Sequence, residues 1–243
     1  MDDTNTGVYN IGRLTHRQVE RHVLERPAVI VPLGGCEPFG AAGALGVESV
    51  CTAGVAGELS ERCRVLAAPL IPFGCSTPFM SFAGAAGVKP RTFVNMLCEI
   101  LHGYVFQGVR RIFLVSAAPF NREPGGEVVR RLSEKYPEVA VMFFDINSIG
   151  INDNIADRDD ALLLSVFLYL GGAVSADDVI ETKSAGADKY RTWKKRGRDP
   201  QKLRALFPDG LMVSAGADVN IVKGEGYFNL IVETLEGEIN SRL

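Results

Sequence analysis

Four short apolar runs, each breaking into a loop, constrain this chain more than any other feature. Ala28-Val29-Ile30-Val31-Pro32-Leu33 ends in Gly34-Gly35, and Val65-Leu66-Ala67-Ala68-Pro69-Leu70 runs into Phe73-Gly74. Arg111-Ile112-Phe113-Leu114-Val115-Ser116 and Val139-Ala140-Val141-Met142-Phe143-Phe144 follow. Runs of this length without polar alternation suit strands covered on both faces. Helical stretches separate them, from Glu48 to Cys63, Pro90 to Gln107 and Gly126 to Tyr136. Pro90 stands at a first turn, where its missing N–H costs nothing. A further helix is expected from Asp159 to Leu170, another from near Lys223, and one at the N-terminus around His16 and His22. The rhythm predicts an α/β fold of three layers, α/β/α, with a mainly parallel central sheet. With 243 residues, one domain over residues 1–243 is expected.

Composition narrows the function classes by exclusion. The formal net charge of −3 gives no overall pull toward nucleic acid or an anionic membrane. No apolar run approaches the ~20 residues that span a bilayer, and Met1-Asp2-Asp3-Thr4-Asn5 is unlike a secretory leader. The five cysteines are an odd number with no C-x-x-C pair, which suits reduced thiols and a cytoplasmic location. Lys189 to Arg204 holds eight basic residues with Tyr190 and Trp193 between them. Such a run could track a phosphate backbone, but in a net-acidic chain a solvated face or an oligomer contact is the expectation.

In parallel sheets, chemistry collects in the loops after the strands' carboxyl ends. Here those loops are Gly34 to Gly46, Pro72 to Val88, Ser116 to Gly125 and Asp145 to Asp160. The first is not a P-loop, since no Gly-Lys-Ser/Thr closes it. It carries Glu37 and the following helix begins with Glu48, two carboxylates suited to acid/base work or to one hard cation. Cys36 and Cys75 could supply a thiolate, and Ser76 and Ser116 a hydroxyl nucleophile, but no histidine base stands in these loops. Small buried hydrophobes are the expected role of the two cysteines, and Asn121 is expected to hold loop structure by hydrogen bonds. Phe39, Phe79 and Phe120 either line a pocket for an apolar ligand or fill a core, since both share that composition.

Taken in order, the loops resemble the motifs of the creatininase (creatinine amidohydrolase) family. Gly34 or Gly35, Glu37, Gly40, Leu45 and Gly46 match that family's G-S-x-E-Q-H-G-P-H-L-P-L-G-T-D. Phe73 to Gly84 looks like its Y-G-x-S-x-E-H-x-x-F-P-G-T, and Val115 to Asn121 sits where it has V-N-G-H-G-G-N. Pro208-Asp209-Gly210 and Lys223-Gly224-Glu225-Gly226 resemble its P-S-G-V and E-K-G-E. The resemblance implies the fold just described, amide hydrolysis by two divalent metals, and trimeric or hexameric homo-oligomers.

The departures bear on that chemistry. A metal hydrolase needs imidazole and carboxylate ligands and an open position for water. Laid on the family pattern, Glu37 keeps its carboxylate and the bridging aspartate is Glu48, while the histidines become Phe39, Ala42, Phe79, Ala118 and Ile155. A later glutamate corresponds to Asp160. The three histidines of the chain, His16, His22 and His102, lie outside the strand-end loops. The expectation is a dismantled metal site with no cofactor. One divalent cation (Mg²⁺, Mn²⁺ or Zn²⁺) on Glu37, Glu48 and Asp160 is left open. Three roles are compatible with this sequence: a pseudoenzyme binding a small molecule or partner, an amidohydrolase using one metal or only its carboxylates, and a structural subunit assembling with an active paralogue.

Overall fold

The computed structural model describes residues 9–40, 42–149, 160–174, 193, 198–208, 210 and 219–243. Its four strands are β1 (Ala28–Leu33), β2 (Leu66–Ala67), β3 (Arg111–Ser116) and β4 (Ala140–Asp145). They form one sheet in the order β2-β1-β3-β4, every pair parallel. The expected second run is much shorter as a strand. Pro69 has no N–H to donate, and beyond Ala67 only single backbone bonds continue, such as Ala68 N–H to Ile30 O at 2.8 Å.

The helices are α1 (His16–Glu25), α2 (Val47–Cys63), α3 (Pro90–Phe106), α4 (Arg122–Lys135), α5 (Asp160–Tyr169), α6 (Pro200–Leu206) and α7 (Ile221–Asn240). Thr15 closes α1 with a capping box, and Asn220 caps α7 through Lys223 N–H at 2.9 Å. Helix α4 begins four residues before the expected start. Pro124 and Gly125 fall within its first turn, where a proline is tolerated because the first N–H groups lack intrahelical partners.

Alternate strand residues feed two separate cores, because strand side chains point to opposite faces. Val29, Val31, Leu33, Ile112 and Leu114 pack with Phe93, Leu97 and Leu101 of α3 and Val128 and Leu132 of α4. Ala28, Ile30, Phe113 and Val115 pack with α2, α5 and α7. Both faces of β1 and β3 are therefore apolar, which is why these strands read as unbroken hydrophobic runs. Since β1 connects to β2 on one side and β3 lies on its other side, the helices that follow β1 and β3, α2 and α4, pack into different cores. That divergence opens the crevice in which doubly wound sheets hold their sites. Among the described residues, no helix is long and apolar enough to cross a membrane.

Candidate functional site

The loops after β1, β2 and β3 converge at this crevice and are tied together by one side chain. Asn121, fully buried at the start of α4, accepts from Cys75 N–H at 2.9 Å. Its amide donates to Gly34 O at 2.9 Å and to Ser116 Oγ at 3.1 Å. Ser116 Oγ in turn donates to Leu33 O at 2.7 Å and accepts from Ala118 N–H at 3.2 Å. Three loops distant in sequence thus share one hydrogen-bond network whose polar atoms are satisfied inside the protein. Gly74 makes the approach feasible: a Cβ there would stand 2.4 Å from Asn121 Oδ1 and 2.6 Å from Gly34 O. Gly87 has the same role farther out along the second loop, where a Cβ would meet Ser76 N at 2.6 Å.

Glu37 lies on this network's edge. It is fully buried, and Ser76 Oγ donates to its Oε1 at 3.0 Å. Its own N–H bonds Leu45 O at 3.1 Å, closing the first loop on itself. Burial, with Glu37 adding to it, pushes the Cys75 thiol up to about 12. Cys75 is therefore a protonated, inert neighbour at neutral pH. Cys36 is partly exposed, with its thiol 3.4 Å from Gly84 O.

Glu48 occupies a different setting. It is fully buried in the first turn of α2, and its Oε2 lies 2.2 Å from where a Gly35 Cβ would stand. Ala118 Cβ is 3.1 Å from that same point, so Glu48, Gly35 and Ala118 share one tight corner. Burial first, then the charge of Glu48, raises the Cys51 thiol one helical turn on. The inner face of α2 also reaches the strand ends: Ser49 Oγ donates to Gly35 O at 2.8 Å, and Thr52 Oγ1 accepts from Ala117 N–H at 2.9 Å. Ser49 and Thr52 were not among the expected site residues. Their three-residue spacing on one face of a helix that follows a glycine-rich loop is the signal that could have found them.

The phenylalanines do not gather into one pocket. Phe79 packs edge-on against Phe120 at 5.6 Å between ring centres, on the α3/α4 side. Phe120 is in turn covered by Trp193 at 6.3 Å, again edge-on, and Arg198 lies 5.8 Å over its ring. Phe39 belongs to the opposite core, beside Gly43, Val47 and Leu164. The two rings thus enter different cores although their loops meet through the Ser76–Glu37 hydrogen bond. Trp193 is buried, and its indole N–H donates to Asp199 O at 2.8 Å, so this portion of the basic stretch is a structural cover. Ser81 Oγ bonds Pro200 O at 2.7 Å, and Arg204 donates to Ser81 O while lying 5.4 Å over the Phe82 ring. Tyr190 and Ile155 lie outside the described residues.

Asp160 is the buried first residue of α5. Among the described residues, no group of three or more His, Cys, Asp or Glu is placed to hold a metal ion, Glu37, Glu48 and Asp160 included. The histidines stand elsewhere: His22 packs edge-on to Tyr9 in α1, and His102 of α3 stacks on Tyr136 and hydrogen-bonds its hydroxyl. A separate groove of about 540 Å³ runs between α2, α5 and α7, lined by Gly54, Gly57, Glu61, Tyr169, Leu170 and Phe228 among others. It is away from the strand-end loops.

Comparison with known proteins places this architecture. No curated protein sequence matches the chain. Among solved structures, a creatinine amidohydrolase (creatininase) superposes with a TM-score of 0.79 at 18% identity, covering 96% of this chain and 97% of that one. A manganese form of creatininase gives 0.79 at 19% identity, covering 96% and 98%. A Bacteroides fragilis protein described as a candidate creatinine amidohydrolase gives 0.71 at 18%, covering 94% and 93%. At such identities these likenesses establish the fold. The sequence itself matches the creatininase family, described as creatinine amidohydrolase, over residues 12–239. The chain belongs to the creatininase family.

Proposed function

We propose that this chain is a non-catalytic creatininase-family protein, a pseudoenzyme acting by binding a ligand or partner, with a remodelled metal site. The observation that carries this reading is the donor set of the strand-end loops. Glu37 and Glu48 supply carboxylates there, but no imidazole accompanies them, and Phe39 and Phe79 are fully buried in packed cores. Two divalent ions need nitrogen and oxygen ligands around an open position, and the described residues do not fit such a pair. Buried aromatic rings at these points exclude water, which a hydrolase must admit and activate. The edge-to-face packing of Phe79, Phe120 and Trp193 favours a filled core over a ligand pocket on that side. On this reading the chain works as a homo-oligomer of trimeric or hexameric order, or alongside an active paralogue, in the cytoplasm.

The test is metal content and turnover together. Protein incubated with Mn²⁺ and with Zn²⁺, then desalted, is expected to hold no stoichiometric metal and to leave small amides and cyclic amides unhydrolysed. Two ions per chain with measurable turnover would overturn the proposal. A second reading rests on the 3.0 Å hydrogen bond from Ser76 to the buried Glu37. That pair could serve in a metal-free acid/base hydrolysis, or Glu37 could hold one weakly bound metal. Amide hydrolysis that survives chelation and disappears in Glu37→Gln would favour the metal-free form.

A further inference from the structure

Going beyond the functional reading, we infer that the three site loops are held by a metal-independent hydrogen-bond latch in which Asn121 is the positioning residue. Four observations converge on it. Asn121 uses both ends of its amide on three partners: the Cys75 N–H of the second loop, the Gly34 carbonyl of the first and the Ser116 hydroxyl at the end of β3. Ser76, next to Cys75, carries the link onward to Glu37. Gly74 and Gly87 are packed so closely around these groups that any side chain would collide with the latch or with loop backbone. Finally, no described carboxylate, thiol or imidazole cluster is placed to let an ion do the same tying. In a metal-built site, removal of the ion loosens the loops that ligate it, because binding energy and loop ordering are linked. Here the ordering comes from buried amide and hydroxyl groups, which have no cheaper alternative inside the protein.

The latch does not depend on catalysis, since a metal-free tie is compatible with an inactive or an active chain. Cys75 provides a selective reporter, since its own N–H is held by Asn121 and its thiol is buried, while Cys51 and Cys63 are buried residues of α2 itself. The experiment is alkylation of the native full-length protein, read by peptide mass mapping at each cysteine. For the unaltered chain, the Cys75 rate should be the same in EDTA, Mn²⁺ and Zn²⁺. In Asn121→Ala it should rise about tenfold or more, on the order expected when a buried hydrogen bond gating local opening is lost, with Cys51 and Cys63 unchanged. Leu101→Ala, in the core of α3, controls for general destabilisation and should not single out Cys75. Asn121→Asp, which keeps the acceptor and loses the donors, serves if the alanine variant does not fold, and should also expose Cys75 selectively. Faster labelling of Cys75 in EDTA or slower labelling in metal would overturn the inference, as would equal acceleration of all three cysteines, or none, in the folded variant.

Discussion

Phe39 and Phe79 are both fully buried aromatic residues in strand-end loops, yet they serve opposite sides of the sheet. Phe39 closes the α2 side, where Gly43, Val47 and Leu164 leave it a narrow slot and Glu48 occupies the first helical turn nearby in sequence. Phe79 closes the α3/α4 side beneath a stack of rings ending in Trp193 and Arg198. Two residues of one chemical type, each in a loop that leaves a strand's carboxyl end, therefore need not build one feature. Between them runs the polar seam of Asn121, Ser116 and Ser76, which neither ring enters as a hydrogen-bonding partner.

The largest effects should come from emptying these two slots. Phe79→Ala and Phe39→Ala are each expected to destabilise by about 3–5 kcal/mol, measured by urea unfolding. Because they pack in different cores, the double variant should be additive within about 0.5 kcal/mol. A coupling energy well above that would put both rings in one cavity and break the comparison. Phe79→Ala and Phe120→Ala, whose rings touch, should by contrast be clearly non-additive.

Next in size is Gly74→Ala, which drives a methyl group into Asn121 and the Gly34 carbonyl. A loss of about 1–3 kcal/mol or more follows from overpacking against backbone, and Gly57→Ala is the matched control because nothing lies within 4 Å of its added Cβ. An equal response from both glycines would mean that the seam is not tightly built. Ser76→Ala removes a hydrogen bond to a buried carboxylate and should cost about 1.5–3 kcal/mol if Glu37 is ionised, less if it is protonated. Urea midpoints of Ser76→Ala with and without Glu37→Gln separate the two states.

The remaining effects concern titration and are felt only toward the pH extremes, leaving neutral pH least affected. Cys75 has its folded pKa raised to about 12 by burial and by Glu37, so the native state keeps a proton that the unfolded chain releases near 9. The unfolded state then binds fewer protons, and stability should fall as pH rises from about 9 toward 12. Below that window the contribution is fully present. Cys75→Ala should flatten this region of the unfolding-versus-pH curve relative to the parent. On the exposed face of α4, Glu127 is held down to about 2, first by its hydrogen bonds to Arg130 and Arg131. Its contribution is present at neutral pH and lost as pH falls through that low value, and salt should screen most of it. Glu127→Gln should therefore change the acid limb only slightly, least of all at high ionic strength.

The local features of the fold were legible because they repeat along the chain. Apolar runs of six residues became β1 and β3 at their expected bounds, and Pro90 opened α3 where a proline belongs. Glycine-rich stretches after β1 and β2 marked the loops, and the order of the motifs marked the family. The partners of Glu37 and Asn121 were not legible. Ser76 lies 39 residues from Glu37, and Gly34 lies 87 residues from Asn121. Nothing in the intervening sequence encodes such a meeting except the crossovers that bring β3 beside β1.

Most of the elements, their parallel arrangement and the absence of histidine from the strand-end loops could be read from the sequence, because periodicity and residue type are properties of short windows. The shortness of β2 and the helix Pro200–Leu206 could not. The parting of Phe39 and Phe79 to different cores, the burial of Trp193 as a cover and the tying of three loops by a single amide emerge only in three dimensions. Those outcomes depend on which side of the sheet each connection takes and on contacts between residues far apart in the chain, and a local pattern carries no record of either.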